Sequence, residues 1–257
     1  MALNPITIKR LAKDVKYLIK NPLNSENIYY KHDENNLLKG YAMIIGNKNT
    51  PYENGYYFFK FDFPDDYPFN PPKVTYLTND GIMRFNPNLY INGKVCLSIL
   101  NTWNGEGWSS CQNIHSICLI LSSILNENPL LNEPGIRTNN DNINSYNLLL
   151  KYKNLEFSII KQIEYLNNLT MVNNIDNSSN SSLEKDKDDY FNIIFLFKQE
   201  IINTFKKNKI SINNNLEEIE DKIKNINEIY IRVYDLKQKI DFNKIKKKFL
   251  LLKLNEI

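Results

Sequence analysis

The 257-residue sequence predicts an α+β fold. Three patterns predict this class: helical apolar spacing near the N terminus, a series of strand-like runs separated by turn signals, and helical spacing again in the second half. Because the strand-like runs follow one another through short turns, they predict an antiparallel meander. A length of 257 residues, 42% of them hydrophobic, allows one large domain or a domain with an appendage.

The first predicted element is a helix that begins at Asn4-Pro5, with Asn as the N-cap and Pro at the first helical position. It is expected to end before Pro22, since proline disfavours helical geometry in the residue before it. Positively charged side chains lie mostly off its apolar face. Helical spacing predicts that the buried face consists of Ile8, Leu11, Ala12, Val15, Leu18 and Ile19.

Four strands follow in the prediction, and turn signals at residues 33–36 and at Asn54-Gly55 separate the first three. Between the third and the fourth, four prolines within nine residues predict a stiff, irregular surface loop. The predicted strands cover residues 28–31, 37–45, 56–63 and 74–77.

Residues 79–110 lack any sustained period and contain several glycines, which predicts a long ordered loop. Long loops inside compact domains are usually functional. Within this loop, Cys96 follows Asn92-Gly93, and Asn88 precedes it by eight positions. A cysteine thiolate can form a thioester, and a fixed amide N–H can stabilise the oxyanion that develops when the acyl group moves on. The pair therefore predicts acyl transfer through a thioester.

Simpler interpretations exist for the same residues. Free cysteines are usually small core residues, and an asparagine in a loop often only satisfies local backbone. We expect this for Cys111 and Cys118, which lie at or on a predicted helix. A cysteine hydrolase would need a histidine base, and neither His32 nor His115 forms a recognisable protease signature. The cysteines and histidines also lack the paired spacing of zinc ligands, so no metal is expected. No cofactor is expected either.

The second half of the chain predicts helices. Apolar stripes predict one over residues 114–125, and another is expected over 144–166. Residues 173–182 are rich in Asn and Ser, which is typical of a flexible linker. Beyond it, apolar spacing predicts an amphipathic helix over 191–205 and a helix-pairing seam over 216–233.

Composition narrows the function classes. A net charge of +3 gives little support for nucleic-acid binding. The start of the chain carries no signal-peptide pattern, and no apolar stretch approaches the roughly 18 residues of a membrane span. Three cysteines do not suggest a disulfide framework, so a reducing compartment, cytoplasm or nucleus, is expected.

Several motifs occur together along the chain: Tyr67-Pro68-Phe69-Asn70-Pro71-Pro72-Lys73-Val74, Arg84-Phe85-Asn86-Pro87-Asn88, Gly93-Lys94-Val95-Cys96-Leu97-Ser98-Ile99-Leu100, Trp108-Ser109, and Glu127-Asn128-Pro129 with Asn132-Glu133-Pro134-Gly135. In order and spacing they resemble the ubiquitin-conjugating enzymes, over residues 5–167, and more narrowly the class Z members of that family. The extra residues between Trp103 and Trp108 are also typical of class Z.

The resemblance implies the ubiquitin-conjugating fold: an N-terminal helix, a four-stranded antiparallel meander, a long active-site loop and C-terminal helices. We expect a catalytic domain over 1–168, a linker over 169–182 and an appended helical tail over 183–257. Cys96 would accept ubiquitin or a ubiquitin-like protein from an activating enzyme and pass it to a substrate lysine or a ligase cysteine. Asn88 would stabilise the oxyanion or brace the loop. Neither nucleic acid nor membrane is an expected partner.

The resemblance also implies binding surfaces. Basic residues on the first helix would dock the activating enzyme, although a solvated helix face is the simpler interpretation. Phe69 and Ser110 would contact the ligase, with Ser110 standing where the family usually has proline. The acceptor-gate loop would hold Leu131, Asn132 and Glu133, and Leu131 replaces an acidic residue common in the family. The docking residues are Lys9, Arg10 and Lys13.

Two rival functions come from other classes. A catalytically inactive relative would keep the fold as a binding module, and the presence of Cys96 with Asn88 argues against it. The helical tail could act as a scaffold, which is compatible with catalysis. It is expected to be dispensable for thioester formation.

Overall fold

The computed structural model describes residues 3–172 and 185–252, with side chains for 3–167 and 190–252. The predicted α+β class is confirmed, with an N-terminal helix, a four-stranded sheet and further helices. The helices are α1 (Pro5–Lys20), α2 (Ile114–Ser123), α3 (Asn142–Lys153), α4 (Gln162–Val172), α5 (Lys185–Leu196), α6 (Lys198–Ile223) and α7 (Phe242–Leu251). The strands are β1 (Ile28–His32), β2 (Lys39–Ile45), β3 (Tyr56–Asp62), β4 (Lys73–Tyr76), β5 (Glu228–Ile231) and β6 (Leu236–Lys239).

The main sheet has its strands in chain order, β1-β2-β3-β4, as the meander prediction requires. In the antiparallel β1–β2 pair Ile28 lies opposite Ile44, and in the antiparallel β3–β4 pair Phe61 lies opposite Val74. Every strand boundary agrees with its prediction to within two residues. Turn chemistry and β-branched or aromatic runs were therefore sufficient to place this sheet.

The described residues group into two compact units. The first contains the chain up to Thr50 and Tyr57–Asn139, and the second contains Pro51–Tyr56 and the chain from Asn140 onward. Residues 173–182 of the predicted linker lie outside the described residues. The division into 1–168, 169–182 and 183–257 stays a prediction. Within the described ranges, no helix is long and apolar enough to cross a membrane.

Helix α1 buries only part of the predicted face, with Leu11 and Leu18 buried as expected. Its cap is as expected, since the Asn4 side chain accepts a hydrogen bond from the Ile6 amide. Ile8 and Ile19 are exposed, and Ile19 keeps 75% of its surface in solvent. Polar Thr7 is buried in their place, because its hydroxyl group donates to backbone carbonyls of the proline-rich loop. The buried residues are Thr7, Leu11, Asp14 and Leu18.

Aromatic side chains fill much of the core of the first unit. Phe61 packs edge-on against Tyr30 of β1, with ring centroids 5.8 Å apart, and Phe63 packs edge-on against Tyr67 at 5.1 Å. The first contact joins two strands of the sheet, and the second joins the end of β3 to the proline-rich loop. The loop is thereby fixed at Tyr67, which is fully buried.

The second unit departs from prediction at three places. The helix predicted over 191–205 is divided at Phe197 between α5 and α6. The seam predicted over 216–233 is wrong beyond Ile223, because α6 ends there and the hairpin β5–β6 follows. In β5 the buried residues are Ile229 and Ile231, whereas Tyr230 is exposed. A π-helical segment, Asn154–Lys161, joins α3 to α4 in place of a continuous α-helix.

Candidate active site

An irregular hairpin over residues 86–96 positions Cys96. Leu89 bridges to Val95, and the Tyr90 amide donates to the Lys94 carbonyl at 3.0 Å. Gly93 has a φ of +85°, and a Cβ atom there would lie 2.9 Å from the Thr75 side chain. The turn therefore requires glycine at this position. The result is a short segment held by backbone hydrogen bonds, with Cys96 at its end.

Asn88 and Cys96 bond each other in both directions. The Cys96 amide donates to the Asn88 carbonyl oxygen at 2.9 Å. The Asn88 side chain returns a bond of 2.7 Å from Nδ2 to the Cys96 carbonyl oxygen. Because Nδ2 carries two hydrogens, this bond uses only one of them. The Asn88 side chain thus holds the backbone of Cys96 in place.

The side chain of Asn86 holds the backbone of Asn88 in place. That side chain is fully buried. Its Oδ1 accepts a hydrogen bond of 2.9 Å from the backbone amide of Asn88, and its Nδ2 donates to the Ile124 carbonyl oxygen at 2.7 Å. A buried amide with both ends bonded is held in one orientation. Asn86 therefore fixes the backbone of Asn88 relative to the end of α2.

Cys96 lies in a groove but is itself nearly covered, with 3% of its surface exposed. Its Sγ donates to the Thr102 carbonyl oxygen at 3.1 Å. The groove has a volume of about 390 Å³ and exposes polar and aromatic groups on either side of the cysteine. Its lining residues are Tyr90, Lys94, Cys96, Asn101, Thr102, Trp103 and Asn104.

The other cysteines and the histidines do not complete this site. Cys118 is fully buried on α2, and burial raises the pKa of its thiol to about 12, which keeps it protonated and unreactive. Cys111 is exposed. Both ring nitrogens of His32 are occupied, by the Tyr30 hydroxyl and the Leu37 carbonyl oxygen, each at 2.8 Å. His115 packs edge-on against Tyr17. Among the described residues no cluster of His, Cys, Asp and Glu could hold a metal ion.

The three basic residues predicted to dock the activating enzyme differ in their surroundings. Lys9 and Lys13 are exposed on α1. Arg10 is mostly covered: its guanidinium bonds Asp14 Oδ1 at 2.9 Å, the Ser110 carbonyl oxygen at 2.6 Å and the Gln112 carbonyl oxygen. The Arg10 side chain therefore joins α1 to the segment before α2, and its docking role stays a prediction.

The structure brings the two predicted ligase-contact residues together around Pro68. Phe69 projects from the proline-rich loop with 61% of its surface exposed. The Pro68 carbonyl oxygen accepts bonds from the Ser110 hydroxyl at 3.0 Å and from Trp108 Nε1 at 2.7 Å. Ser110 thus anchors the loop that carries Phe69, and an exposed aromatic residue stands on a rigid support.

The predicted acceptor-gate loop lies on the 3₁₀ turn Pro129–Asn132 and the residue after it. Leu131 is 37% exposed. Glu133 faces Arg84, with Oε2 and Nη1 separated by 3.9 Å, and the Arg84 guanidinium lies 3.9 Å from the ring centroid of Tyr90. Tyr90 in turn lines the Cys96 groove. Asn132 reaches Asn86 Oδ1 at 3.5 Å, which is a long contact.

Two features of the site were missed by sequence reasoning. Thr102 contacts the residues on both sides of Cys96, and no local pattern marks a threonine in a glycine-containing loop. The stack of Glu133, Arg84 and Tyr90 joins residues up to 49 positions apart, so no periodicity reveals it. The aromatic and basic composition of the 84–94 segment is the one signal that was available.

Comparison with known proteins gives a consistent result. Residues 10–150 match the family described as ubiquitin-conjugating enzyme. The chain is 37% identical over 161 residues to ubiquitin-conjugating enzyme E2 Z of Xenopus tropicalis, covering 61% of this chain and 50% of that protein. It is 38% identical over 164 residues to the Homo sapiens protein of the same name, covering 62% of this chain and 46% of that protein.

Among solved structures, human ubiquitin-conjugating enzyme E2 G1 is 33% identical with a TM-score of 0.42, over 48% of this chain and 98% of that one. The chain spans about half the length of the curated E2 Z relatives it matches. The matched segment contains Asn88, Cys96 and the rest of the groove.

Proposed function

The chain belongs to the ubiquitin-conjugating enzyme family, close to class Z, and from this premise we propose that Cys96 carries ubiquitin or a ubiquitin-like protein as a thioester. An activating enzyme supplies the modifier, and a substrate lysine or a ligase cysteine receives it. The observation that carries the proposal is the reciprocal bonding of Asn88 and Cys96, which fixes a thiol beside an amide donor.

In each of the two proposed steps, one bond to the modifier's carbonyl carbon forms and another breaks. In loading, Cys96 Sγ attacks the carbonyl carbon of the modifier's C terminus, the new carbon–sulfur bond forms, and the bond to the activating enzyme's sulfur breaks. The proton lost by Cys96 balances the one gained by the departing thiol. In discharge, an acceptor nitrogen or sulfur forms a bond to the carbonyl carbon, the bond from that carbon to Cys96 Sγ breaks, and the proton lost by the acceptor balances the one that Cys96 regains. Neither step is a redox reaction or needs a cofactor.

Asn88 would contribute in both of its expected ways. Its bond to the Cys96 carbonyl holds the cysteine segment in place. The second hydrogen on Nδ2 is the group we assign to the oxyanion that forms during discharge. Because Asn86 holds the backbone amide of Asn88, the side-chain amide of Asn88 would need little reorganisation at that moment.

We assign activating-enzyme docking chiefly to Lys9 and Lys13, whose exposed ammonium groups would speed encounter with an acidic surface. Phe69 is the proposed ligase anchor, since exposed aromatic side chains on rigid supports often dominate binding. Ser110 supports that anchor through Pro68. A cytoplasmic or nuclear location would keep Cys96 reduced.

The acceptor preference follows from the gate loop. A lysine amine attacks only when neutral, and an exposed lysine with a pKa near 10.4 is neutral in roughly one molecule in 2,500 at pH 7. Leu131 provides no carboxylate to orient the amine or receive its proton. A cysteine acceptor needs no such help. We therefore propose ligases that pass the modifier through their own cysteine as the preferred partners.

The alternative is a binding module or scaffold without catalysis, and one assay separates the two. Purified protein is incubated with activating enzyme, ATP and a panel of modifiers, and the products are separated with and without reductant. We expect a reductant-sensitive adduct with at least one modifier, which discharges faster to free cysteine than to free lysine. A folded protein that binds modifier or ligase but forms no adduct would favour the binding module.

A further inference from the structure

The Thr102 hydroxyl group contacts the backbone on both sides of Cys96. Its Oγ1 accepts a bond of 2.9 Å from the Leu97 amide. It lies 2.8 Å from the Val95 carbonyl oxygen and 3.0 Å from the Leu97 carbonyl oxygen, so its one hydrogen is shared between them. One side chain thus fixes the peptide units that precede and follow the nucleophile.

The backbone of Thr102 bonds the same segment. Its amide donates to the Leu97 carbonyl oxygen at 3.2 Å. Its carbonyl oxygen accepts the bond from Cys96 Sγ at 3.1 Å. Asn88 supplies the bonds to the Cys96 amide and carbonyl. Asn88 and Thr102 therefore supply most of the bonds to the backbone groups from the Val95 carbonyl to the Leu97 carbonyl, and the Leu100 amide adds one of 3.1 Å to the Leu97 carbonyl oxygen.

On this geometry we propose that Thr102 is a positioning residue for the reaction of Cys96. Its hydroxyl group fixes the backbone that aims the sulfur, and its carbonyl oxygen sets the direction of the thiol. The proposal rests on the proposed thioester function and deepens it. Thr102 also lies within the segment 101–104 that lines the groove, so the same residue contacts the proposed nucleophile and forms part of the groove wall.

A valine substitution tests the hydroxyl group at nearly constant shape. We expect Thr102→Val to lower kcat for loading about tenfold, because a misaligned nucleophile loses attack geometry that small displacements control. KM for the charged activating enzyme should stay within about twofold, since the docking surface is untouched. Thr102→Ser keeps the hydroxyl group and should restore kcat to within about threefold of the natural protein.

Thr78→Val is the matched control. Thr78 is fully buried in the same unit, and its hydroxyl oxygen accepts a bond of 2.9 Å from the Phe58 amide. This variant should lower the melting temperature without changing kcat per folded molecule. Equal loss of kcat in Thr78→Val and Thr102→Val would show that general loosening, not positioning, is responsible.

Other results would also overturn the proposal. An unchanged kcat in Thr102→Val would do so. A Thr102→Ser variant that is impaired as much as Thr102→Val would do so too, because this variant keeps the hydroxyl group and loses only the methyl group. If Thr102→Val does not fold, Thr102→Ala is measured per folded molecule with the same criteria. If neither folds, Thr102 is a folding residue and the positioning role is wrong. Failure of the natural protein to load would instead reject the proposed function itself.

Discussion

The side-chain amide of Asn88 donates a hydrogen bond of 2.7 Å to the carbonyl oxygen of Cys96. The amide is thus bonded to the backbone of the residue that we propose as the nucleophile. The stability of the loop and the proposed catalysis depend on the same side chain, because the nitrogen that bonds the Cys96 carbonyl oxygen is also the one proposed to face the oxyanion. Substitutions of Asn88 should therefore affect both, and the two effects can be measured separately.

Asn88→Ala should leave loading largely intact and slow discharge by about 10²–10³, the usual cost of one oxyanion donor. It should also lower the free energy of unfolding by about 1–3 kcal/mol, because the Cys96 carbonyl oxygen loses its partner. Discharge to free cysteine and thermal melting measure the two effects. Asn88→Asp is the comparison: a carboxylate cannot donate to that carbonyl and should destabilise more. Unchanged discharge in both variants would remove Asn88 from the chemistry.

Arg10 should behave differently from the two lysines beside it. Arg10→Ala leaves Asp14, which is buried, without its cation, although the Tyr67 hydroxyl still donates to it at 2.5 Å. We expect a loss of about 3 kcal/mol in unfolding free energy. The double variant Lys9→Ala, Lys13→Ala should leave stability within about 0.5 kcal/mol and raise KM for loading in a salt-dependent way.

Melting temperature and loading kinetics at two ionic strengths distinguish these variants. If Arg10→Ala melts like the natural protein, the contacts to Ser110 and Gln112 contribute nothing to stability. If the double lysine variant loads with unchanged KM, those lysines form only a solvated helix face.

Leu131→Asp should raise the rate of discharge to free lysine by at least about tenfold, because it provides a carboxylate that can orient and deprotonate the amine. Leu131 is partly exposed on a short turn, so the substitution should be tolerated. Glu133→Gln is the matched control and should leave the slow lysine discharge unchanged. Rapid lysine discharge by the natural protein that is lost in Glu133→Gln would show that Glu133 performs this role.

The C-terminal extension should matter for folding more than for chemistry. Within the second unit it contacts α3 and α4 through Lys151 with Glu218 at 3.1 Å, Lys248 with Glu164 at 2.9 Å, and the Asp241 amide with the Tyr152 hydroxyl at 3.2 Å. A truncation after residue 169 removes these partners. We expect a lower melting temperature and lower soluble yield, with loading per folded molecule preserved.

A protease site placed within residues 173–182 supplies the control for that truncation. Cleavage there leaves the extension present but not covalently joined, and the melting temperature should stay near that of the intact chain. A truncated protein that melts like the intact chain would show that the extension adds no stability. A folded truncated protein that fails to load would show that the extension helps to recruit the activating enzyme.

Local sequence patterns were sufficient to predict the strands of the main sheet and to select candidate residues in the long loop. Turn residues and β-rich runs gave β1 to β4, and loop context singled out Asn88 and Cys96. The buried face of α1 was mispredicted because Thr7 finds its partners at Asp65 and Tyr67, which are far away in sequence. Apolar periodicity cannot register a polar side chain that is satisfied by a distant backbone.

The seam beyond Ile223 failed for another reason. Spacings of three and four suit a helix, yet Ile229 and Ile231 alternate with exposed neighbours as a strand does. The two periods overlap in a short segment, and tertiary pairing with β6 decides between them. The role of Thr102 was equally hidden, because it depends on loop geometry that has no period.

The most direct test of the account is which cysteine carries the modifier. Intact mass spectrometry after incubation with activating enzyme, ATP and modifier measures this in the natural protein and in Cys96→Ser, Cys111→Ser and Cys118→Ser. We predict a thiol-sensitive adduct in the natural protein, in Cys111→Ser and in Cys118→Ser, and a stable ester or no adduct in Cys96→Ser. A thiol-sensitive adduct that survives Cys96→Ala would contradict the account.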